Sequence, residues 1–139
     1  MYTIRGILEA GTLLNIPSWI NVAERAAKGF LKSQQRDSAI YAKYIKEWAP
    51  AVEWRCPTGI AQISIVYLKL YILNRRNEWL EADDDNIEYL LTIQGRGNEN
   101  VKGAIPGSDP IDGPYMLNSY LSWATKFFLE ILILREELK

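Results

Sequence analysis

The chain has no histidine at all. That absence removes the imidazole general base, the Ser-His and Cys-His nucleophile pairs, and most zinc chemistry. Any catalysis by this chain alone falls to Asp, Glu, Tyr, Lys or Cys56. Cys56 is the sole cysteine, so there is no disulfide framework and no thiolate metal site, which fits a reducing, cytoplasmic setting. A net charge of −1 gives no pull towards nucleic acid or an anionic membrane. No unbroken span of about 20 apolar residues is present, so no membrane segment is expected. The N-terminus also lacks the charged-then-apolar pattern of an export signal. No metal and no cofactor is expected.

What is there is ordinary in amount and distinctive in arrangement. At 139 residues, with 48% apolar and 24% charged side chains, the chain reads as one soluble domain over residues 1–139. The spacing predicts a helix over Thr3–Leu14, with Ile4, Ile7, Leu8, Gly11 and Leu14 on one stripe. It begins with no room for an upstream cap. Asn15–Ser18 reads as a turn, with Ser18 as a cap for a second helix over Trp19–Gln35. Residues 36–57 hold no long period, and their aromatics Tyr41, Tyr44, Trp48 and Trp54 suggest a connection folded onto the surface. Thr58 is the expected cap of a third, mostly apolar helix to Leu73. A fourth runs over Glu78–Gln94, and its Asp83-Asp84-Asp85 run reads as a solvated face near the helix start, where negative charge suits the dipole.

The remaining third, Gly95–Lys139, is a glycine-rich loop running into a last helix over Asn118–Glu137. From Phe127 to Leu134 every residue but Glu130 is apolar, the mark of a helix enclosed on more than one side. Sliding the first 35 residues by 59 positions superposes Leu14-Asn15 on Leu73-Asn74, Ala23 on Ala82, Phe30-Leu31 on Tyr89-Leu90 and Gln35 on Gln94. The chain is therefore expected to be all-α, with about five main helices. Hairpin units at about 3–35 and 58–94 are followed by a final inner helix at about 118–137. Buried helices would form an inner layer and amphipathic ones an outer layer.

Four blocks carry a resemblance: Tyr2-Thr-Ile-Arg-Gly-Ile-Leu-Glu-Ala, Trp54-Arg-Cys-Pro-Thr-Gly-Ile-Ala-Gln-Ile, Gly103-Ala-Ile-Pro-Gly-Ser-Asp-Pro-Ile and Asn118-Ser-Tyr-Leu-Ser-Trp-Ala-Thr-Lys-Phe-Phe. In this order they resemble the (α/α) toroid proteins of the six-hairpin glycosidase-like superfamily, in an uncharacterised branch associated with polysaccharide-related genes. Such relatives are about twice as long, so the chain looks like the C-terminal part of a toroid. Where they carry an aromatic after Pro-Ile, this chain has Asp112, so sugar stacking is not expected there.

The resemblance implies a ligand funnel at the N-terminal ends of the inner helices. The first end offers Tyr2 and Arg5. The second offers Trp54, Cys56, Thr58 and Gln62, and the third Tyr115, Tyr120, Trp123 and Lys126. Aromatic faces, amides and charged donors suit a carbohydrate. The competing reading makes Tyr120 and Trp123 core aromatics, with Arg5 and Lys126 paired to carboxylates. Asp109 and Asp112 are candidates for a two-carboxylate acid/base pair, or for turn formers beside Pro and Gly. Cys56, at a helix start, is either a favoured thiolate or a buried structural thiol. Gly95-Arg-Gly follows a helix and is no nucleotide motif; its glycines would turn the backbone across the mouth.

Three functions remain open: a saccharide-binding protein of toroid type, a fragment of a polysaccharide-acting hydrolase, lyase or epimerase, or a structural helical-repeat protein. The apolar last helix implies a partner, either a second copy in a homodimer or a missing N-terminal half.

Overall fold

The computed structural model describes residues 1–95 and 99–139. Among these the chain is all-α, with helices α1 (Tyr2–Leu13), α2 (Pro17–Asp37), α3 (Pro57–Asn74), α4 (Glu78–Ile93) and α5 (Ser122–Glu137). Extended pairing among them is limited to isolated antiparallel bridges, Tyr44 with Pro50, Arg55 with Asp109 and Pro106 with Tyr120. The expected Gly95-Arg-Gly turn lies partly outside the described residues.

Proline, more than the hydroxyl residues, decides where two helices begin. Pro17 and Pro57 occupy the first turns of α2 and α3, where a missing N–H costs nothing and the fixed φ is already helical. Ile16 and Cys56 are the N-caps, so Ser18 and Thr58 lie inside the helices and cap neither. α5 starts at Ser122, later than Asn118. The four residues before it are held in a different hydrogen-bond pattern: Gly107 N–H donates to Ser119 O at 2.9 Å, and Leu121 N–H to Ile105 O at 3.1 Å.

The odd-numbered helices run in one direction and the even-numbered ones return. Tyr2 meets Phe127 edge-on at 5.8 Å while Arg5 reaches Glu130, so α1 and α5 advance together. Met1 lies against Gly59 and Glu9 pairs with Lys69 at 3.2 Å, so α1 and α3 do likewise. α1 with α2, and α3 with α4, are tight helical hairpins. In the first, Gly11 is buried where a Cβ would come within 2.9 Å of Trp19 Cβ, so only glycine lets α1 approach α2 this closely. In the second, Tyr67 stacks on Trp79 at 5.5 Å.

α3 sits at the centre and touches all four other helices. From Pro57 to Leu68 only Gly59 escapes full burial. The expected two-layer burial holds for α3 and fails elsewhere. α1 buries only Leu8 and Gly11, and α5 only Ala124, Phe128 and Ile131, whereas α2 and α4 bury more of their residues. The reason is the number of neighbours: α1 and α5 lie at the rim of α3 and each keeps an open face.

The long connections behave as structure. In residues 38–56, Phe30, Tyr44 and Trp48 form a cluster of edge-on rings, with centroids 4.7 Å apart for Phe30 and Trp48. Trp48 presses on α2 at Gly29, where a Cβ would fall 2.0 Å from its Cε2. The loop before α5 crosses the N-terminal ends of α3 and α5. Arg55 and Asp109 exchange backbone hydrogen bonds at 2.9 and 3.0 Å, and Ile105 N–H donates to Thr125 Oγ1 at 3.1 Å. No helix among the described residues is long and apolar enough to cross a membrane.

Candidate functional site

Because Pro57 opens α3 and Cys56 precedes it, the Thr58 hydroxyl has no capping work to do. It is buried, and its Oγ1 has no hydrogen-bond partner. Gln62 follows one turn later on the same face. It is fully buried, and neither Oε1 nor Nε2 has a partner. A buried polar group without a partner costs about 1–3 kcal/mol. Three such atoms within one turn are a large expense for stability alone, and the buried Tyr67 hydroxyl farther along α3 is also without a partner.

Both residues line a cavity of about 480 Å³, walled also by Tyr2 of α1, Phe30 of α2, Tyr44 and Trp48 of the first long connection, and Tyr115 of the second. Each ring has an identifiable support. Tyr41 N–H donates to the Tyr44 hydroxyl at 2.8 Å, and Arg36 Nη2 donates to Trp48 O at 3.0 Å. Ser108, itself buried, accepts from Tyr115 N–H at 3.2 Å and donates to Tyr115 O at 2.6 Å. An aromatic rim over unengaged amide and hydroxyl atoms, sealed from solvent as they stand, can hold a hydroxylated ligand once Gln62 turns to it: ring faces cover C–H surface, and Gln62 both donates and accepts. With nothing holding its amide, Gln62 can turn about χ3 towards an occupant without breaking any bond. Cys56 lines the same cavity, but burial pushes its thiol up against the pull of the Gly59 and Thr58 backbone N–H groups, so it is a neutral thiol here.

Thr58, Gln62 and Tyr115 are thus brought together, with Tyr2 and Cys56. The other candidates lie elsewhere. Arg5 donates to Glu130 at 2.5 Å and to Glu9 at 2.8 Å, and Lys126 pairs with the same Glu130 at 2.6 Å. Burial alone would lower the Arg5 pKa, but the Glu130 and Glu9 bonds raise it; burial would raise that of Glu130, but Lys126 and Arg5 hold it down. Arg5 and Lys126 therefore pair across α1 and α5, lining a shallow depression with Tyr2, Glu9 and Phe127. Trp54 is half-buried, its carbonyl accepting from Ala42 N–H at 3.0 Å. Tyr120 is half-buried beside Pro106, and Trp123 is exposed on α5; neither lines the Thr58–Gln62 cavity or the Arg5–Lys126 depression. Asp109 accepts from the Tyr89 hydroxyl at 2.7 Å, and Asp112 lies exposed on the turn that follows.

Sequence reasoning missed Phe30, Tyr44 and Trp48 as cavity walls, though it found the aromatic-rich connection that supplies two of them. It also misread Asp83. Asp84 and Asp85 are exposed, but Asp83 is fully buried, facing Arg135 of α5 at 3.6 Å. Burial pushes its carboxyl up to about 7, against the opposing pull of Arg135. Ser64 is near enough to steady it, yet no hydrogen bond of good geometry reaches either oxygen. Asp83 shares a face with Trp79, Asn86, Leu90 and Ile93, and that spacing was the available signal. No group of three or more Cys, Asp or Glu among the described residues is arranged to hold a metal.

No protein-family model matches the chain, and no curated protein and no solved structure matches it. Function has to be read from the residues themselves.

Proposed function

We propose that the chain is a carbohydrate-binding unit of (α/α)-toroid type, and that a saccharide residue occupies the cavity over Thr58 and Gln62. The parallel run of α1, α3 and α5, with α2 and α4 returning, is the alternation a toroid requires, and the cavity lies at the N-terminal ends of α1 and α3. One observation carries the reading: Gln62 is fully buried with both amide atoms unengaged. A site built to hydrogen-bond substrate hydroxyls discriminates through such atoms, since an analogue lacking them leaves buried groups unpaired. Tyr2, Tyr44, Trp48 and Tyr115 supply the apolar wall, and Thr58 and Gln62 fix hydroxyls.

The test is a glycan array followed by calorimetric titration of the best saccharide against wild type and Gln62→Leu. The variant should lose roughly tenfold or more in affinity, the value of one hydrogen-bonding set. It should also unfold at the same or a higher urea concentration, gaining about 1 kcal/mol because two orphaned atoms are removed. Unchanged binding by Gln62→Leu would overturn the reading.

A second proposal concerns association. Leu129 and Ile133 on α5 are 56% and 52% exposed, with Trp123 and Leu132 on the same helix also open. This face suits an isologous homodimer centred on α5.

A further inference from the structure

The chain has 16 Lys and Arg residues, and three depressions on its surface are lined in part by one or more of them. The cavity over Thr58 and Gln62 is different: no Lys or Arg, and no Asp or Glu, lines it among the described residues. The fold sorts the segments that build it residue by residue. From residues 42–48 it takes Ala42, Tyr44 and Trp48, and leaves Lys43 and Lys46 in solvent. From α2 it takes Phe30, while Lys28 pairs with Glu24 at 2.9 Å and Lys32 is exposed. Arg55 immediately precedes Cys56, yet its guanidinium lies 4.7 Å over the Tyr89 ring, in another depression. α3 carries no charged residue from Pro57 to Leu68, so it brings none.

The cations nearest from outside are already paired. Arg36, which donates to Trp48 O, is held by Asp37 at 2.6 Å, and Arg5, one turn after Tyr2, by Glu130 at 2.5 Å. Met1 lines the cavity too, but burial lowers the pKa of its α-amino group, against the opposing pull of Cys56, and so disfavours the ammonium form.

We infer that this cavity selects a saccharide unit free of negative charge and rejects uronate, sulfate and phosphate sugars. The inference rests on the saccharide reading above and names the class of sugar. An anionic group that left water for this wall would find no cation, and burying an uncompensated charge is far costlier than burying a hydroxyl that is hydrogen-bonded. The ring faces on which sugar C–H surface would rest carry the negative side of their quadrupole, which adds to the bias. A hydroxyl needs only the donor and acceptor that Gln62 offers once it turns.

The experiment is a glycan array holding neutral gluco-, galacto-, manno- and xylo-oligosaccharides beside their uronic-acid, sulfated and phosphorylated counterparts. It is run at about pH 8, where the lowered Met1 α-amino group is mostly neutral. Calorimetry of the full chain then compares two probes of one shape, the hexuronate of the configuration that the array selects and its uncharged amide. The amide should bind roughly tenfold or more tighter than the hexuronate. Ala42 is a half-buried wall position whose backbone N–H bond to Trp54 O survives substitution. Ala42→Lys supplies the missing cation and should narrow that preference roughly tenfold. An array led by anionic glycans, or a wild type that binds hexuronate as well as amide, would overturn the inference and leave the saccharide reading standing. So would an Ala42→Lys chain, folded by circular dichroism, whose preference is unchanged. No binding by any glycan, neutral or anionic, would remove the saccharide reading and the inference with it.

Discussion

α3 and α5 are the two helices of this molecule that read as apolar on nearly every side, and the fold treats them oppositely. α3 touches every other helix and seals all of Ile60–Leu68 from solvent; α5 buries three residues and leaves Leu129, Leu132 and Ile133 open. An all-round apolar pattern states that a helix must be covered, and not by what. For α3 the cover is in the chain. The same contrast holds for polar groups. α3 carries the polar atoms of Thr58 and Gln62 unengaged beside a cavity and the Tyr67 hydroxyl unengaged in the core, while its Ser64 accepts from Asn86 at 2.9 Å and α5 engages Glu130 and Arg135 with charged partners. Orphaned atoms also lie on α4, at Trp79 and Asp83, away from that cavity, so it is their place along its wall that singles out Thr58 and Gln62.

The largest effect expected from this contrast is in core truncation. Leu68→Ala on α3 removes a side chain with no exposure and should cost about 2–5 kcal/mol, whereas Leu129→Ala on α5 should stay within about 0.5 kcal/mol. Urea unfolding of the two variants, at equal slope, measures both. Measured at a concentration where the chain is monomeric, comparable losses would mean that the α5 face is covered within the chain itself.

A smaller effect is set by pH where the buried Asp83 of α4 meets Arg135 of α5. Asp83 has its carboxyl pushed up to about 7 by burial, above the ordinary carboxylate value, so the native state favours the protonated form. Its contribution to stability is therefore complete below about pH 4, declines as pH rises and is lost once pH passes about 7. At about 1.36 kcal/mol per unit of displacement, the decline amounts to a few kcal/mol at most, a figure that already contains the pull of Arg135. Asp83→Asn should flatten the profile between pH 4 and pH 8 and raise stability at the upper end. Thermal unfolding across that range tests it; an Asp83→Asn profile with the wild-type slope would mean the residue is ionised against Arg135 throughout.

These cases also show how much was legible in the residues. Four of the five helices lie where periodicity placed them, because amphipathic spacing, Pro17 and Pro57 act locally. The start of α5 was not legible: residues 119–121 pair with 105–107, and Asn118 N–H donates to Ile111 O, a bond pattern across the loop with no local signature. The site was half legible. Thr58, Gln62 and Tyr115 line one cavity, but its walls from Phe30, Tyr44 and Trp48 depend on how a 19-residue connection folds back on α2, and Arg5 and Lys126 pair with carboxylates away from it. Asp83 was misread because a run of three like charges looks solvated until the helical face is counted.

The smallest expected change in stability tests what covers α5. Replacing Leu129 and Ile133 by serine removes apolar surface that is already more than half wet, so each folded chain should keep its stability within about 0.5 kcal/mol of wild type per site. The association state should change far more. An isologous contact presents both residues twice, and burying one such side chain is worth roughly 1.5–3 kcal/mol, so four losses per dimer outweigh the surplus that holds most interfaces of this kind together. Sedimentation should therefore find wild type at twice the 16.0 kDa chain mass and the double serine variant at the chain mass. Wild type sedimenting at the chain mass, with no self-association on titration, would remove the homodimer. The open face would then fall to another occupant, which under the proposed toroid reading is a preceding segment of a longer protein.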